Sequence, residues 1–157
     1  MPMARVLVLS AVAASIVLVA CGGGEEPPGP DPAARAEMAM ALFAAPAAQT
    51  VALEMTDLKF STGAIAAKAG EVVELSLANK GGIEHDFSIK TFSGDRGFRI
   101  EGQDTVSPRA KGDVHAHLRS KQAGLLRLKA GAPGTYEFYC SVPGHKEAGM
   151  KGTLTVQ

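Results

Sequence analysis

Cys140, His145 and Met150 are separated by four intervening residues in each interval, in Tyr-Cys140-Ser-Val-Pro-Gly-His145 and Gly-Met150. Tyr136, Phe138 and Cys140 alternate with polar or half-polar neighbours, which places the thiol on the inner face of a strand end. Pro143-Gly144 is a turn signal, and another apolar strand pattern follows Met150, so the loop can fold a thiol, an imidazole and a thioether around one point. His85 opens a strand after the turn Asn79-Lys80-Gly81-Gly82, 55 residues before the cysteine, and offers a further nitrogen. Thiolate and thioether suit Cu(I), imidazole suits both oxidation states, and two imidazoles, a thiolate and a distant thioether make a blue-copper donor set. The implied chemistry is one-electron exchange at a mononuclear copper.

The elements that must position these residues are strands. Val51-Leu53-Met55, Val73-Leu75-Leu77, His85-Phe87-Ile89, Val114-Ala116-Leu118, Leu126-Leu128, Tyr136-Phe138-Cys140 and Leu154-Val156 each repeat with a period of two. Gly- and Pro-containing turns separate them, and the 157 residues hold 18 Gly and 9 Pro. Seven to eight short strands within 51–157 predict an all-β fold, an antiparallel Greek-key β-sandwich. Residues 91–112 break the pattern and are expected to carry a short helix or a hairpin. Residues 90–129 hold nine basic and four acidic side chains, a solvated face or a docking patch for an acidic partner.

Upstream, three segments follow one another. Residues 1–20 read as an export signal, with Arg5 before a 14-residue apolar run, 6–19, broken only by Ser10 and Ser15. About 20 apolar residues are needed to cross a bilayer, so cleavage is the better expectation. Leu18-Val19-Ala20-Cys21 before Gly22-Gly23-Gly24 resembles the bacterial lipobox. That resemblance makes Cys21 the lipidated first residue of a mature chain anchored to the bacterial cell membrane, facing the periplasm or cell exterior. Residues 21–50 then read as a Gly/Pro/Ala-rich linker, about 30 Å in r.m.s. reach if coiled, with a short Ala-rich helix over 33–45. Met38 and Met40 in it could bind Cu(I) as a Met-x-Met pair, or simply fill the helix. With Cys21 acylated, Cys140 is unpaired in an oxidising compartment unless a metal occupies it.

Residues 51–157 resemble the cupredoxins, the type 1 blue copper proteins, with the spacing of auracyanins and other bacterial plastocyanin-like members. Cys140-x4-His145-x4-Met150 carries the match to their ligand loop, and Glu84-His85-Asp86-Phe87 the match to their upstream His motif. The resemblance implies His85, Cys140 and His145 as equatorial ligands, Met150 as the axial one, and a single copper ion as cofactor. It further implies a monomeric electron carrier, not an enzyme, with electrons passing at the His145 edge beside Pro143 and Gly144. Partners would be redox proteins of a respiratory or photosynthetic chain, of cytochrome or copper oxidase type. Phe87, Phe138 and Val142 would exclude water and raise the potential. Asp86 stands where the family often has Asn, which leaves the hydrogen bonding around the sulfur to be found.

Other functions fit less well. Sixteen basic against sixteen acidic residues give no basis for nucleic-acid binding. Cys140 beside His145 suggests acyl transfer, but no oxyanion element or third orienting residue accompanies them. A binuclear copper centre needs a second Cys in the loop, and 141–144 has none. The alternative of another class is a copper delivery or storage protein for a membrane oxidase. Met38, Met40 and the pair His115-x-His117 support it, and the buried thiolate opposes it.

Overall fold

Eleven strands form among residues 31–101, 103–105 and 113–157, which are those that the structure, a computed structural model, describes. The export signal, Cys21 and most of the Gly/Pro stretch lie outside them. In chain order the elements are α1 (Pro32–Ala44), β1 (Gln49–Thr56), β2 (Lys59–Phe60), β3 (Ala64–Ala67), β4 (Val72–Asn79), β5 (His85–Ile89), β6 (Gly94–Ile100), β7 (Gln103–Thr105), β8 (Val114–Leu118), β9 (Ala123–Ala130), β10 (Gly134–Tyr139) and β11 (Lys151–Val156). One sheet runs β2-β1-β4-β9-β6-β7 and the other β3-β11-β10-β5-β8.

The seven strands read from alternation are present, and the short β2, β3 and β7, together with β6, bring the number above the expected seven to eight. The sheets are mixed rather than antiparallel throughout: β1 pairs parallel to β4, and β3 parallel to β11. The cause is connectivity. The chain leaves the first sheet after β2, adds β3 to the second and returns for β4, so β4 runs in the direction of β1. Residues 91–112 contribute the β6–β7 hairpin, and β6 is a full member of the sheet, paired with β9 along six residues.

Side chains from both sheets meet in one core. Leu53, Met55, Leu75, Leu77 and Leu126 face Phe87, Ile89, Leu118, Phe138 and Leu154, all buried. Phe87 and Phe138 stack with centroids 4.9 Å apart, and the Phe60 ring meets them edge-on at 6.1 and 5.3 Å. Gly152 lies opposite Phe138 in the β10–β11 ladder, and a Cβ there would overlap the ring. The glycine is what lets the ring lie flat against β11.

The linker reading of 21–50 needs correction, because α1 is docked. Asp31 caps it by accepting from the Ala34 N–H at 2.8 Å, with Pro32 in the first turn. Ala39, Leu42 and Phe43 are buried against the first sheet, so the folded unit begins about 20 residues before the boundary drawn at 51. Arg127 closes the other end: its Nη1 donates to the carbonyls of Leu42, Phe43 and Ala45, and its Nε to Glu74 at 2.8 Å. The guanidinium groups of Arg99 and Arg127 lie 4.1 and 5.2 Å from the Phe43 ring centroid. Part of the basic character of 90–129 therefore serves to hold a helix. Arg127→Ala is expected to cost about 3 kcal/mol, since charged hydrogen bonds are each worth about 1.5–3 and carbonyls are left unpaired; urea unfolding measures it. Met38 and Met40 are exposed and two residues apart on α1, so they face different directions and do not form a metal pair.

Candidate metal centre

Cys140 leaves β10, and the loop returns to β11 at Lys151. The Cys140 N–H donates to the Met150 carbonyl at 3.0 Å, which closes the loop by one rung of the β10–β11 ladder. Inside it, His145 N–H bonds the Val142 carbonyl at 3.1 Å and Met150 N–H the His145 carbonyl at 3.0 Å. Gly144 and Gly149 have φ of 84° and 102°, a left-handed backbone that favours glycine at both turns. The loop thus fixes where Cys140, His145 and Met150 stand relative to one another.

β5 brings the second imidazole. His85 Nδ1 lies 3.2 Å from His145 Nδ1, and Cys140 Sγ lies 3.4 Å from His145 Nδ1 and 4.0 Å from His85 Nδ1. His85 and Cys140 are inaccessible to solvent, and His145 is 7% exposed. Two ring nitrogens and a sulfur facing one point at these separations fit a soft or borderline cation, and the donor types fit copper. Met150 is fully buried and tied through its main chain to both Cys140 and His145.

Burial, and then the neighbouring His145, hold the His85 pKa below the ordinary value of 6.5; Asp57 and Asp86 act in the opposite direction. Burial pushes the Cys140 thiol up, against the N–H groups of Asp86 and Val142 that favour the thiolate; the Asp86 and Glu84 charges add to the rise. Without metal at neutral pH, His85 is a neutral base and Cys140 holds its proton. Metal binding must therefore displace the thiol proton and little from His85. About one proton is expected to leave per copper bound near pH 7, read from calorimetric enthalpies in buffers of different ionisation heat.

The hydrogen bonding around the sulfur centres on Asp86, which is buried. Its N–H points at Cys140 Sγ, 3.3 Å away. Its Oδ1 accepts from the Ser141 N–H at 2.8 Å and the Ser88 hydroxyl at 2.9 Å, and Oδ2 from the Ser141 hydroxyl at 2.7 Å. The carboxylate straps β5 to the loop at the residue after the cysteine. Alternation placed Asp86 and Ser88 on the face opposite His85 and Phe87, yet all five β5 residues are buried. Behind His85, Asn79 braces the turn: Nδ2 donates to the carbonyls of Ile83, Leu118 and Arg119, and Oδ1 accepts from Gly81. His85 Nε2 is buried with no hydrogen-bond partner among the described residues, close against Gly81. Sequence reasoning missed the roles of Asn79, Ser88 and Ser141. A serine directly after the ligand-type cysteine and a polar residue closing a strand were the available signals.

Pro143 and Gly144 are exposed beside His145, and Ile83 is 49% exposed. His115 and His117 stand apart from this centre, across β5 from it.

Residues 47–157 match the family of copper binding proteins described as plastocyanin/azurin. The chain belongs to that family. This cupredoxin is similar to the copper-resistant cuproprotein CopI of Rubrivivax gelatinosus, 34% identical over 125 residues that cover 73% of this chain and 70% of that protein. It is also similar to the plastocyanin of Dryopteris crassirhizoma, 34% identical over 104 residues, 66% of this chain and 93% of the other. The solved structure of auracyanin B superposes with a TM-score of 0.56 at 27% identity, covering 72% of this chain and 91% of auracyanin B. Copper is the cofactor of this cupredoxin, and His85, Cys140, His145 and Met150 are its candidate ligand set.

Proposed function

We propose that this cupredoxin is a single-electron carrier held at a membrane surface. The observation that carries the reading is the burial of one thiol and two imidazole donors within 3.2–4.0 Å of one another, the thiol and one imidazole in a loop already closed by its own hydrogen bonds and the other imidazole on β5. His85, Cys140 and His145, together with the buried Met150, would hold copper there, and the metal would supply one-electron exchange between Cu(II) and Cu(I). The chain's part is to keep that geometry unchanged during the exchange. Asp86 N–H stabilises charge on the sulfur, the Asp86–Ser141 strap limits its movement, and Phe87 and Phe138 with Val142 exclude water. Buried donors suit electron passage rather than substrate turnover. The route is the nearly buried His145, whose rim is the exposed Pro143 and Gly144, docking a cytochrome or copper oxidase.

The apolar run 6–19 and Cys21 support export and lipid anchoring to the bacterial cell membrane, facing the periplasm or the cell exterior. A Cys21→Ser chain is expected to move from the membrane fraction to the soluble exported fraction; unchanged sedimentation would contradict the anchor.

The similarity to CopI favours a second reading, in which the protein takes up copper to protect the cell. Mixing the reduced, copper-loaded protein with an oxidised cytochrome, and separately with a copper-free oxidase, separates the two. A carrier reduces the cytochrome within its mixing time and keeps its copper. A copper-handling protein leaves the cytochrome oxidised and loses metal to the oxidase.

A further inference from the structure

The outer face of β8 presents a second group of ligand-type side chains. Val114, Ala116 and Leu118 are buried in the core, so His115 and His117 project to the opposite face. Their cross-strand partners on β5 are Ser88 and Asp86, and β8 is the edge of its sheet. One donor atom from each of Asp86, His115 and His117 lies within 4.8 Å of the other two. His117 Nε2 is also 3.5 Å from Glu84 Oε2, at the surface. Two imidazoles with carboxylate oxygens and no thiolate suit Zn(II) and Cu(II) rather than Cu(I).

Hydrogen-bond accounting adds a link. Ser88 has one hydroxyl hydrogen, and the Asp86 carboxylate receives it. Ser88 Oγ, 3.0 Å from His115 Nδ1, therefore accepts from that nitrogen, which fixes the ring's tautomer and orientation as an outer-shell partner does for a metal-binding histidine. The same Asp86 holds Ser141 and aims its N–H at Cys140 Sγ. A cation on this face would draw on a carboxylate that already braces the buried sulfur.

We propose that Asp86, His115 and His117, assisted by Glu84, form a surface site for one divalent cation of the Zn(II)/Cu(II) class, coupled through Asp86 to the surroundings of the Cys140 sulfur. The site itself stands without the electron-carrier reading; only the coupling rests on the buried copper centre. The test is titration of the copper-loaded full chain with Zn(II), which is spectroscopically silent, counting bound zinc by equilibrium dialysis while following the visible absorption. The parent is expected to bind one Zn(II) with a displaced absorption maximum. His117→Ala, altered at an exposed position, is expected to bind it at least tenfold more weakly with no displacement, and Ser88→Ala about tenfold more weakly. Equal zinc binding by the parent and His117→Ala overturns the site. Zinc bound with an unmoved maximum overturns the coupling. A chain without the blue absorption refutes the buried centre, and the zinc stoichiometry still decides the surface site.

Discussion

Replacing Cys140 by serine is expected to abolish the intense visible absorption and to weaken copper binding well beyond the about 10–100-fold that loss of an outer-shell partner costs. Sulfur is the sole thiolate donor in the buried set, and its charge transfer to Cu(II) is the source of such a band. Serine is close to isosteric, and the Asp86 N–H that faces Sγ at 3.3 Å can donate to its oxygen. The metal-free fold should accordingly lose only about 1–2 kcal/mol. Absorption titration with Cu(II), alongside urea unfolding of the metal-free protein, separates the two effects. A variant that stays intensely blue would show that the sulfur is not a ligand.

Phe138→Ala carries the largest expected cost in stability. The ring is inaccessible to solvent, stacks on Phe87 at 4.9 Å, receives the edge of Phe60 at 5.3 Å and rests on Gly152. Truncation leaves a cavity that the glycine cannot fill, so about 3–5 kcal/mol should be lost. Typical domains hold about 5–15 kcal/mol in total, which makes this a large share. Because Phe138 precedes Cys140 by two residues on the same strand face, the cavity also lets water approach the sulfur. Urea unfolding of the metal-free protein measures the loss, and a change below about 1 kcal/mol would contradict this packing.

What the sequence disclosed depended on how strongly each element is patterned. Leu53, Leu75, Leu77 and Leu126 lie in strands with one buried face, and period-two alternation marks such strands directly. β2, β3 and β7 span two to four residues, too few to show a period. α1 was legible as a helix from its alanines and Pro32, but not as a docked one. Its buried stripe is Ala39, Leu42 and Phe43 on an alanine-rich background, and the partner that closes it, Arg127, lies 82–85 residues away. The direction of β1 beside β4 depends on a passage through the other sheet, which no local pattern encodes.

The candidate ligands were legible because their types are rare, and because Cys140, His145 and Met150 share one short loop while His85 opens a strand after a marked turn. His85, Cys140 and His145 have their donor atoms within 4.8 Å of one another. The brace around them was not legible, since Asp86, Ser88 and Ser141 are ordinary polar residues until tertiary pairing turns them toward each other. Asp86 in place of the family's frequent Asn is answered by Ser141, whose N–H and hydroxyl both donate to the carboxylate.

The central claim is a mononuclear copper centre built on Cys140, and its most direct test is Cu(II) loading of the chain followed by visible and EPR spectroscopy. One intensely blue species with narrow copper hyperfine splitting is the predicted result, with Cys140 protected from alkylation. A colourless protein whose Cys140 is alkylated as readily with Cu(II) as without it would contradict the account.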